Sequence, residues 1–562
     1  MPISTFAYPG LISERTQAQL RLVPEPDEAA TRFDVIVVGS GMGGGLLADL
    51  LADGFRDTNR DRRILVLEAG SYLFPTHVYN LGRSDNSELA RRYSVSTVRQ
   101  AGAGENEPDH LLDGLQMNLG GRSVFWSGLI PEIQDWELDF FPPELRDDVR
   151  GRLTAAGEVL NQSVTLGDTA EALADALNAD AAIAADFDVQ ETPRALHQPY
   201  LSESGATRGR YWFESTGVFN TAELLLNQLG LPDEDRDRPL SLLLNHYVET
   251  VAPRADGDYD VVAQDVLRAR ARTFTAPVVV LAAGSLGSPK ILRRSPVFAG
   301  LPADVAALVG KGLTDHPTTA WIEALVTEMA GVPIPPDEHA KIIFYSKGQP
   351  GASEAVAFPF NVELNVNPRY WHVRQNDPDD DEFARPFRAG EKSLLEFKFS
   401  FGNCLDDGNE LVFDDLFRPK VEFGNLRRVN ELAGDRFPRL AGWHKTVDET
   451  WQVLRDVAER VLATCRDDGR PVRPRAGFIG EQGKGFGTGT VHHAVGTLRM
   501  PARTGQGDAA FGPSVVDTDL RVQGEPGLYV CDMSVLPFSS AANPVRTLAA
   551  LTLRLADRLV GR

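Results

Sequence analysis

The feature that most constrains the fold is a short apolar segment that runs directly into a glycine-rich loop. Residues 33–38 (FDVIVV) are mostly apolar and β-branched, which is typical of a buried parallel strand. Gly39, Gly41 and Gly44 follow with the spacing G-x-G-x-x-G, and leucines then recur at helical intervals. A second apolar segment ends at Glu68, 68 − 44 = 24 residues after the last of these glycines. This order of strand, turn, helix, strand and acid predicts a dinucleotide-binding unit.

Each residue of this motif has a physical reason. Gly39 permits the tight turn, Gly41 lets the backbone approach a pyrophosphate, and Gly44 lets the helix pack close to the strand. The start of the helix offers free N–H groups to the anion. Glu68 is placed to accept hydrogen bonds from ribose hydroxyls and would repel a 2′-phosphate, which argues against NADP. The motif does not separate FAD from NAD, and a glycine-rich turn without a ligand is the alternative.

Composition limits the classes of partner. The chain has 562 residues, which predicts two domains or one large domain with insertions. Its formal charge of 57 − 79 = −22 repels nucleic acid and anionic lipid, so we expect neither nucleic acid nor a membrane as a partner. Three widely separated cysteines and the lack of an apolar stretch approaching about 18 residues favour a cytoplasmic protein in a reducing compartment. The oligomeric state is left open.

The patterns at the two ends of the chain differ from the pattern in the middle. Residues 275–295 and 526–562 again combine a strand with a helix, as the first unit does. From about residue 320 to residue 480, alternating segments such as LLEFKFSFG indicate antiparallel strands. A dinucleotide-binding domain built from distant segments, with a β-rich insertion, fits this arrangement.

Six segments in order carry a resemblance to a known family. They are VVGSGMGGG with VLEAG, NLGGRS, GSLGSPKILRRS, VGKGLTDHP, HHAVGTLRM, and VVDTDLRVQGEPGLYVCDMSVLP with ANPVRTLAAL. Over nearly its whole length, the chain resembles the glucose–methanol–choline family of FAD-dependent oxidoreductases. The Gly-x-Gly that often ends the third of these segments is missing after Ser295.

The resemblance implies an α/β fold with a Rossmann-like FAD-binding domain assembled from residues 30–135, 206–325 and 485–562. Residues 136–205 are then a helical segment of the substrate domain, and residues 326–484 form an α+β substrate-binding domain with an antiparallel sheet. The implied cofactor-binding residues are Gly39, Gly41, Gly44, Glu68, Gly120, Gly121, Ser123, Val248, Ala283, Asp532, Pro544 and Thr547.

Two residues depart from the family pattern. Arg122 stands where small residues are common. Phe125 lies near the position at which one branch of the family carries a histidine that can bond covalently to FAD. Phenylalanine cannot form such a bond, so we expect FAD to be bound non-covalently beside an altered flavin edge.

The adjacent His492 and His493 have three interpretations: a metal site, a catalytic base, or polar loop residues. Side chains at neighbouring positions do not converge on one ion, and no cysteine or acid lies at ligand spacing, so we expect no metal. The resemblance implies that His493 faces the flavin. A neutral imidazole, with a reference pKa of about 6.5, can take a hydroxyl proton while the same carbon gives a hydride to flavin N5. We interpret His492 as a loop residue.

Asn543 is the expected second catalytic residue, since the family places His or Asn there to hold the substrate oxygen. The alternative is specific: Asn followed by Pro at the start of an apolar-striped helix is also an N-cap with Pro at N1. We interpret Asp315, His316 and Pro317 as a structural turn, with His316 packing or forming hydrogen bonds.

The predicted function is therefore FAD-dependent oxidation of an alcohol CH–OH group to a carbonyl. Sugars and glycosides, amino alcohols and sterols all fit as the small-molecule substrate, and O2 or a quinone-like compound as the electron acceptor. The alternatives are a flavin-containing lyase of the hydroxynitrile-lyase type, a protein that binds FAD without catalysis, and an NAD enzyme.

Overall fold

The computed structural model describes residues 30–58, 60–73, 77, 94–95, 99–101, 115–162, 168–196, 218–230, 239–316, 318–347, 360–367, 382–414, 419–423, 432–433, 444–445, 447–475, 493–503 and 511–561. The predictions for His492 and Pro317 therefore lie outside the described residues. Every other residue that the sequence predicts for the site is described.

A five-stranded parallel sheet joins segments from both ends of the chain. Its strands are short apolar runs that are almost entirely buried, as expected for a sheet covered on both faces. The first strand pairs with its neighbours in register, Val35 opposite both Ile64 and Val278. In spatial order, the strands are Leu528–Val530, Val278–Leu281, Val35–Val38, Ile64–Leu67 and Leu240–Leu243.

Helices pack around this parallel sheet. The last helix, Val545–Val560, lies against two of them, and its apolar stripe is buried, with Leu548, Leu551 and Leu555 no more than 1% exposed. Each such leucine stabilises the packing by about 1.5–3 kcal/mol. The helix ends at Gly561 in the left-handed conformation. The helices near this sheet are Met42–Asp57, Pro143–Val159, Thr221–Gly230, Gly284–Arg294 and Val545–Val560.

A second, antiparallel sheet has five strands, four of which lie from Thr318 onward, close to where the sequence predicts antiparallel strands. The fifth, Phe187–Glu191, comes from an earlier part of the chain. Its apolar face forms a separate core with the helices Asp168–Ala179 and Val447–Ala463. The prediction of a mixed α/β chain with an antiparallel sheet is confirmed, while the domain boundaries stay predictions. In spatial order, the strands are Thr318–Val326, Ser393–Phe401, Phe360–Val366, Ala340–Ser346 and Phe187–Glu191.

Smaller sheets complete the described structure. One consists of His246–Pro253, Tyr259–Asp265 and Arg270–Ala276 in antiparallel order. Another pairs Asn403–Cys404 with Phe538–Ser539 and so ties the inserted region to the segment before the last helix. The other strands are Ser94–Val95, Arg99–Ala101, Leu115–Gln116, Glu328–Met329, Val332–Pro333, Asn409–Phe413, Pro419–Phe423, Leu432–Ala433, His444–Lys445, Cys465–Asp467 and Arg470–Pro471.

The state of the cysteines and the character of the helices relate to the predictions about the redox compartment and the membrane. Cys404, Cys465 and Cys531 are all free thiols. Within the described ranges, no helix combines the length and apolar character needed to cross a membrane.

Candidate active site

The predicted cofactor residues gather at one edge of the parallel sheet. Gly39 directly follows the strand Val35–Val38, and Glu68 follows Ile64–Leu67. Ala283 and Asp532 come two residues after the strands that end at Leu281 and Val530. Because the carboxyl ends of parallel strands meet at the same edge, four distant segments contribute to one crevice, the usual ligand position in such sheets.

The glycines of the loop differ in what surrounds them. Gly39 has φ +102°, and a Cβ there would lie 2.5 Å from the carbonyl oxygen of Ala282. A Cβ on Gly44 would lie 2.1 Å from the carbonyl oxygen of Gly39, so these two positions require glycine for packing. A Cβ on Gly41 would meet no described atom within 4 Å. The open space at Gly41, beside the start of the helix Met42–Asp57, fits an anionic group of a ligand.

Glu68 joins the glycine loop to its surroundings. Its buried Oε2 accepts hydrogen bonds from the backbone N–H of Ser40 at 3.0 Å and from its hydroxyl at 2.6 Å. Oε1 accepts one from the N–H of Gly70 at 2.9 Å. A carboxylate has about four acceptor positions, so one remains for a ribose hydroxyl. Burial raises the pKa of this carboxyl.

The NLGGRS loop lies directly on the glycine turn. The N–H of Gly120 donates to the Ser40 hydroxyl at 3.0 Å, and a Cβ on Gly121 would lie 3.2 Å from the Cα of Gly41. The Ser123 hydroxyl donates to the carbonyl of Gly120 at 2.6 Å and accepts from the N–H of Thr221 at 3.0 Å. Ser123 therefore holds the loop in place.

Asp532 lies at the crevice, and its carboxylate is held by hydrogen bonds from the protein. Its buried Oδ2 accepts from the N–H of Gly284 at 2.9 Å and from the Ser288 hydroxyl at 2.5 Å. Oδ1 accepts from both the N–H and the hydroxyl of Ser534. These four bonds use the acceptor capacity of the carboxylate. Asp532 thus links two strand ends at the crevice, and its backbone is left to meet a ligand.

Two further predicted cofactor-binding residues are Ala283, in a turn, and Val248, in a strand. The N–H of Ala283 donates to the Ser288 hydroxyl at 2.9 Å. Val248 is 4% exposed and lies two residues beyond His246, whose N–H donates to the carbonyl of Glu68 at 2.9 Å. Val248 is therefore near the end of the second parallel strand, where Glu68 lies.

The histidine that resembles the family's base lies against a second histidine from a distant segment. Nδ1 of His493 is 2.7 Å from Nε2 of His316, and Nδ1 of His316 is 3.2 Å from the carbonyl oxygen of Ser540. Burial, followed by the charge of Lys398, lowers the pKa of His316 to about 4, so this ring is neutral. Asp315 accepts the backbone N–H of His493 through Oδ2 at 3.2 Å.

These contacts fix the proton positions. A carbonyl oxygen only accepts, so the single proton of the neutral His316 ring must be on Nδ1. Nε2 of His316 is then the acceptor, and His493 must donate to it from its own Nδ1. The lone pair of a neutral His493 is consequently on Nε2, the nitrogen on the opposite side of the ring. This is the tautomer that a base in this position needs.

The same residues bear on the metal prediction. Ligand atoms of Asp315, His316 and His493 lie within 4.8 Å of one another, so the group could hold an ion. The argument from sequence spacing overlooked that a distant segment supplies an acid and a histidine: Asp315 and His316 lie 178 and 177 positions from His493. Because both rings are joined by a hydrogen bond, a proton-ordering role is the simpler one, and the absence of a metal stays a prediction.

The start of the last helix differs from the N-cap alternative. The helix begins at Val545 with Pro544 at the N-cap position, so Asn543 does not cap it. The amide of Asn543, on a partly buried side chain, is not committed to capping. Pro544 and Thr547 are buried. Ser540, three residues before Asn543, is the residue whose carbonyl contacts His316, so this segment runs beside the histidine pair.

The direction of the last helix supports a position of its first residues near the crevice. The thiol of Cys531 lies 3.4 Å from the Thr552 hydroxyl and 3.8 Å from the carbonyl of Gly43. Farther along, a Cβ on Gly54 would lie 2.6 Å from the side chain of Val560. The last helix therefore runs parallel to the glycine helix. It begins 552 − 545 = 7 residues before the level of the glycine loop, or about 10 Å towards the crevice.

Sequence reasoning missed three residues of this region and the partner of a fourth. His316 is expected to pack or form hydrogen bonds, but its contact with His493 had no signal in the spacing. A Cβ on Gly43 would lie 2.0 Å from the carbonyl of Cys531, although Gly43 is outside the glycine pattern. The buried Glu137 accepts the N–H of Ala541 at 2.7 Å, and Ser540 acts through its backbone alone.

Comparison with known proteins finds one matching family model and similar proteins. Residues 443–552 match the family model described as GMC oxidoreductase. The chain is 24% identical to C-glycoside 3-oxidase of Microbacterium trichothecenolyticum, an alignment covering 93% of this chain and 95% of that protein. It is 23% identical to oxygen-dependent choline dehydrogenase 1 of Chromohalobacter salexigens, covering 95% and 96% respectively.

A solved structure shares the fold. The crystal structure of pyridoxine 4-oxidase from Mesorbium loti matches with a TM-score of 0.59 and 19% identity, covering 94% of this chain and 99% of that chain. The likeness therefore extends over both sheets. The predicted resemblance to this family is confirmed, and so is the prediction of an alcohol-oxidising enzyme. The chain is therefore similar to the glucose–methanol–choline oxidoreductases over nearly its whole length.

Proposed function

We propose that this enzyme oxidises a CH–OH group to a carbonyl with non-covalently bound FAD, and that His493 is the general base. The observation that carries the proposal is the hydrogen-bonded series from the Ser540 carbonyl through His316 to His493. It holds the His493 ring with its lone pair on Nε2. A ring that is fixed in one tautomer can accept a hydroxyl proton without first rearranging.

The crevice at the parallel sheet fits FAD. The open space at Gly41 and the start of the glycine helix would receive the pyrophosphate, and Glu68 has one acceptor position for a ribose hydroxyl. The buried Phe125 has no nucleophile, so the attachment would be non-covalent. When bound, FAD would supply the acceptor for the hydride. The last helix would direct its positive end at the reacting region.

The chain's own residues handle the proton and the oxygen. Nε2 of His493 takes the hydroxyl proton, and the ring keeps its Nδ1–H bond to His316 throughout. The bond becomes charge-assisted once His493 is protonated, and such bonds are roughly twice as strong as neutral ones. The amide N–H of Asn543 would donate to the substrate oxygen, since that amide does not cap the helix. A positioned base of this kind contributes about 10²–10⁴-fold.

The finer predictions rest on composition and on the relatives' names. A sugar or glycoside is the favoured substrate class, since one relative is named as a C-glycoside 3-oxidase. O2 or a quinone-like compound would reoxidise the cofactor, and another relative is named oxygen-dependent. A cytoplasmic location is favoured by three free thiols. The names of the relatives favour oxidation over the lyase alternative.

The test replaces His493 by Gln. The flavin absorbance of the holoenzyme is followed without oxygen after an alcohol that the unchanged enzyme oxidises is added. We expect bleaching to slow by about 10²–10⁴-fold. Equal flavin absorbance before mixing excludes loss of cofactor as the cause. Bleaching at the unchanged rate would remove His493 from the role of base.

A further inference from the structure

The inner face of the antiparallel sheet carries buried polar side chains. Along each strand, residues alternate between the core and this opposite face. Glu363 is paired with Lys398 across two strands, and Asn361 with Ser400 in the same register. All four are 8% exposed or less. We call this set the polar face: Lys341, Tyr345, Asn361, Glu363, Asn365, Glu396, Lys398 and Ser400.

Charges on the polar face are balanced. Nζ of Lys398 lies 3.1 Å from Oε2 of Glu363. Burial opposes ionisation of Glu363, but Lys398 and then Lys341 hold its pKa below the ordinary value. Nδ2 of Asn365 donates to Oε1 of Glu396 at 3.1 Å. With two lysines and two glutamates, the face presents no excess charge of either sign.

Three amides near this face have buried atoms with unused hydrogen-bonding capacity. Within the described part of the chain, Nδ2 of Asn361, Oδ1 of Asn365 and Nδ2 of Asn403 lack a hydrogen-bond partner. Their residues are only 2%, 4% and 2% exposed, respectively. A buried polar atom without a partner destabilises the protein, because it has lost its hydrogen bonds to water and gained none in return. Two amide nitrogens and one amide oxygen are therefore available to a ligand that carries both hydrogen-bond donors and acceptors.

The polar face lies next to the histidine pair. After burial, the charges of Lys398 and Glu363 have the next largest influences on the pKa of His316, in opposite directions. Asn403 is paired with Ser539, the neighbour of the residue whose carbonyl contacts His316. A substrate whose hydroxyl group lies at Nε2 of His493 would thus extend towards these amides.

We propose that the polar face binds the substrate, and that this substrate is a neutral polyhydroxylated alcohol such as a glycoside, held by the amides of Asn361, Asn365 and Asn403. The inference rests on the proposed function and names the substrate class of that same site. Hydroxyl groups donate and accept, so they satisfy both kinds of amide atom.

The other substrate classes fit the face less well. A quaternary ammonium ion is recognised by aromatic rings or a carboxylate, and here Glu363 is already paired with Lys398. An anion would find the two lysines of the face, Lys341 and Lys398, already balanced by Glu363 and Glu396. A sterol would leave the three amides buried without partners, at a cost that its single hydroxyl could not offset.

The binding test uses the His493→Gln holoenzyme, which separates binding from turnover. Calorimetry is performed with methyl β-glucoside, choline, gluconate and benzyl alcohol. We expect methyl β-glucoside to bind most tightly. Adding Asn361→Leu or Asn365→Leu should weaken its binding by about two- to tenfold, the range that the loss of one hydrogen bond produces. Tighter binding of any of the other three compounds would overturn the proposal, and so would unchanged affinity in both leucine variants.

A matched control makes the same chemical change on the opposite side of the sheet. Asn178 is fully engaged with the backbone of Val189, at 2.7 and 3.0 Å, within the helix that covers the apolar face. Asn178→Leu should lower stability and leave the affinity for methyl β-glucoside unchanged. If it weakened binding as much as Asn361→Leu, the effect would be on folding and the proposal would fail. Failure of His493 as base appears separately, as unchanged flavin bleaching.

Discussion

His316 should control the basicity of His493, and its replacement gives the sharpest test of the proton arrangement. In His316→Ala, Nδ1–H of His493 loses the acceptor that lies 2.7 Å away. A neutral hydrogen bond contributes about 0.5–1.5 kcal/mol and one to a charged group about 1.5–3 kcal/mol. The loss is therefore about 1–1.5 kcal/mol larger for protonated His493 than for the neutral ring.

The consequence for rate follows from this difference. About 1.4 kcal/mol corresponds to tenfold in rate, so the plateau rate of flavin reduction should fall about tenfold in His316→Ala. The same difference makes His493 a weaker base by about one pH unit. The acid limb of the pH–rate profile, where His493 becomes protonated, should therefore move to lower pH by about one unit.

A conservative variant separates this argument from a general structural effect. In His316→Gln, the amide N–H can donate to the Ser540 carbonyl and the amide oxygen can accept from Nδ1–H of His493. This reproduces the donor and acceptor order of the neutral ring. We expect His316→Gln to restore most of the rate and the original acid limb. Equal profiles for the alanine variant and the unchanged enzyme, or a glutamine variant as impaired as the alanine one, would refute the reasoning.

Four further outcomes are expected. Gly41→Ala should fold normally but bind FAD at least about tenfold more weakly, because its Cβ enters the open space that would receive the pyrophosphate. Flavin titration of the apoprotein measures this affinity. Gly43→Ala, whose Cβ meets the Cys531 carbonyl at 2.0 Å, should instead lower thermal stability. Burial raises the pKa of Glu137 from 4.5 to about 7. Neutral Glu137 therefore stabilises the fold at low pH, and about 3 kcal/mol of the free energy of unfolding is lost as the pH rises from 4.5 to 7. Denaturant titrations should show this pH dependence, and Glu137→Gln should abolish it. Acid precipitation should release all the flavin into solution, since Phe125 offers no atom for covalent attachment; flavin retained in the pellet would contradict non-covalent binding.

The sequence predicts those parts of the site that depend on local pattern. The positions of Gly39 and Gly44 follow from a short-range requirement, contact between a turn and a helix, and the structure has both contacts. The buried strands follow from continuous apolar runs. Asp532 shows the limit of this reasoning, since its position at the crevice agrees with the prediction but its carboxylate is consumed by four protein donors.

Contacts between distant segments were out of reach. His316 and His493 are 177 positions apart, and periodicity carries no information on such a pair. The N-cap alternative for Asn543 failed for a local reason: the helix begins one residue later than the Asn-Pro pattern suggests, with Pro544 at the cap position. Helix ends are the least certain part of any pattern-based assignment.

The position of His316 in the chain connects the two halves of the proposed site. Its ring contacts His493 and the Ser540 carbonyl, both in the segments that lead to the last helix. Two residues later, Thr318 begins an edge strand of the antiparallel sheet, and that sheet carries the polar face. A shift of this sheet would therefore move the substrate amides and the acceptor of the His493 proton together. Substitutions that loosen the start of this strand should then change substrate affinity and the pH–rate profile in parallel, whereas substitutions at Asn361 should change affinity alone.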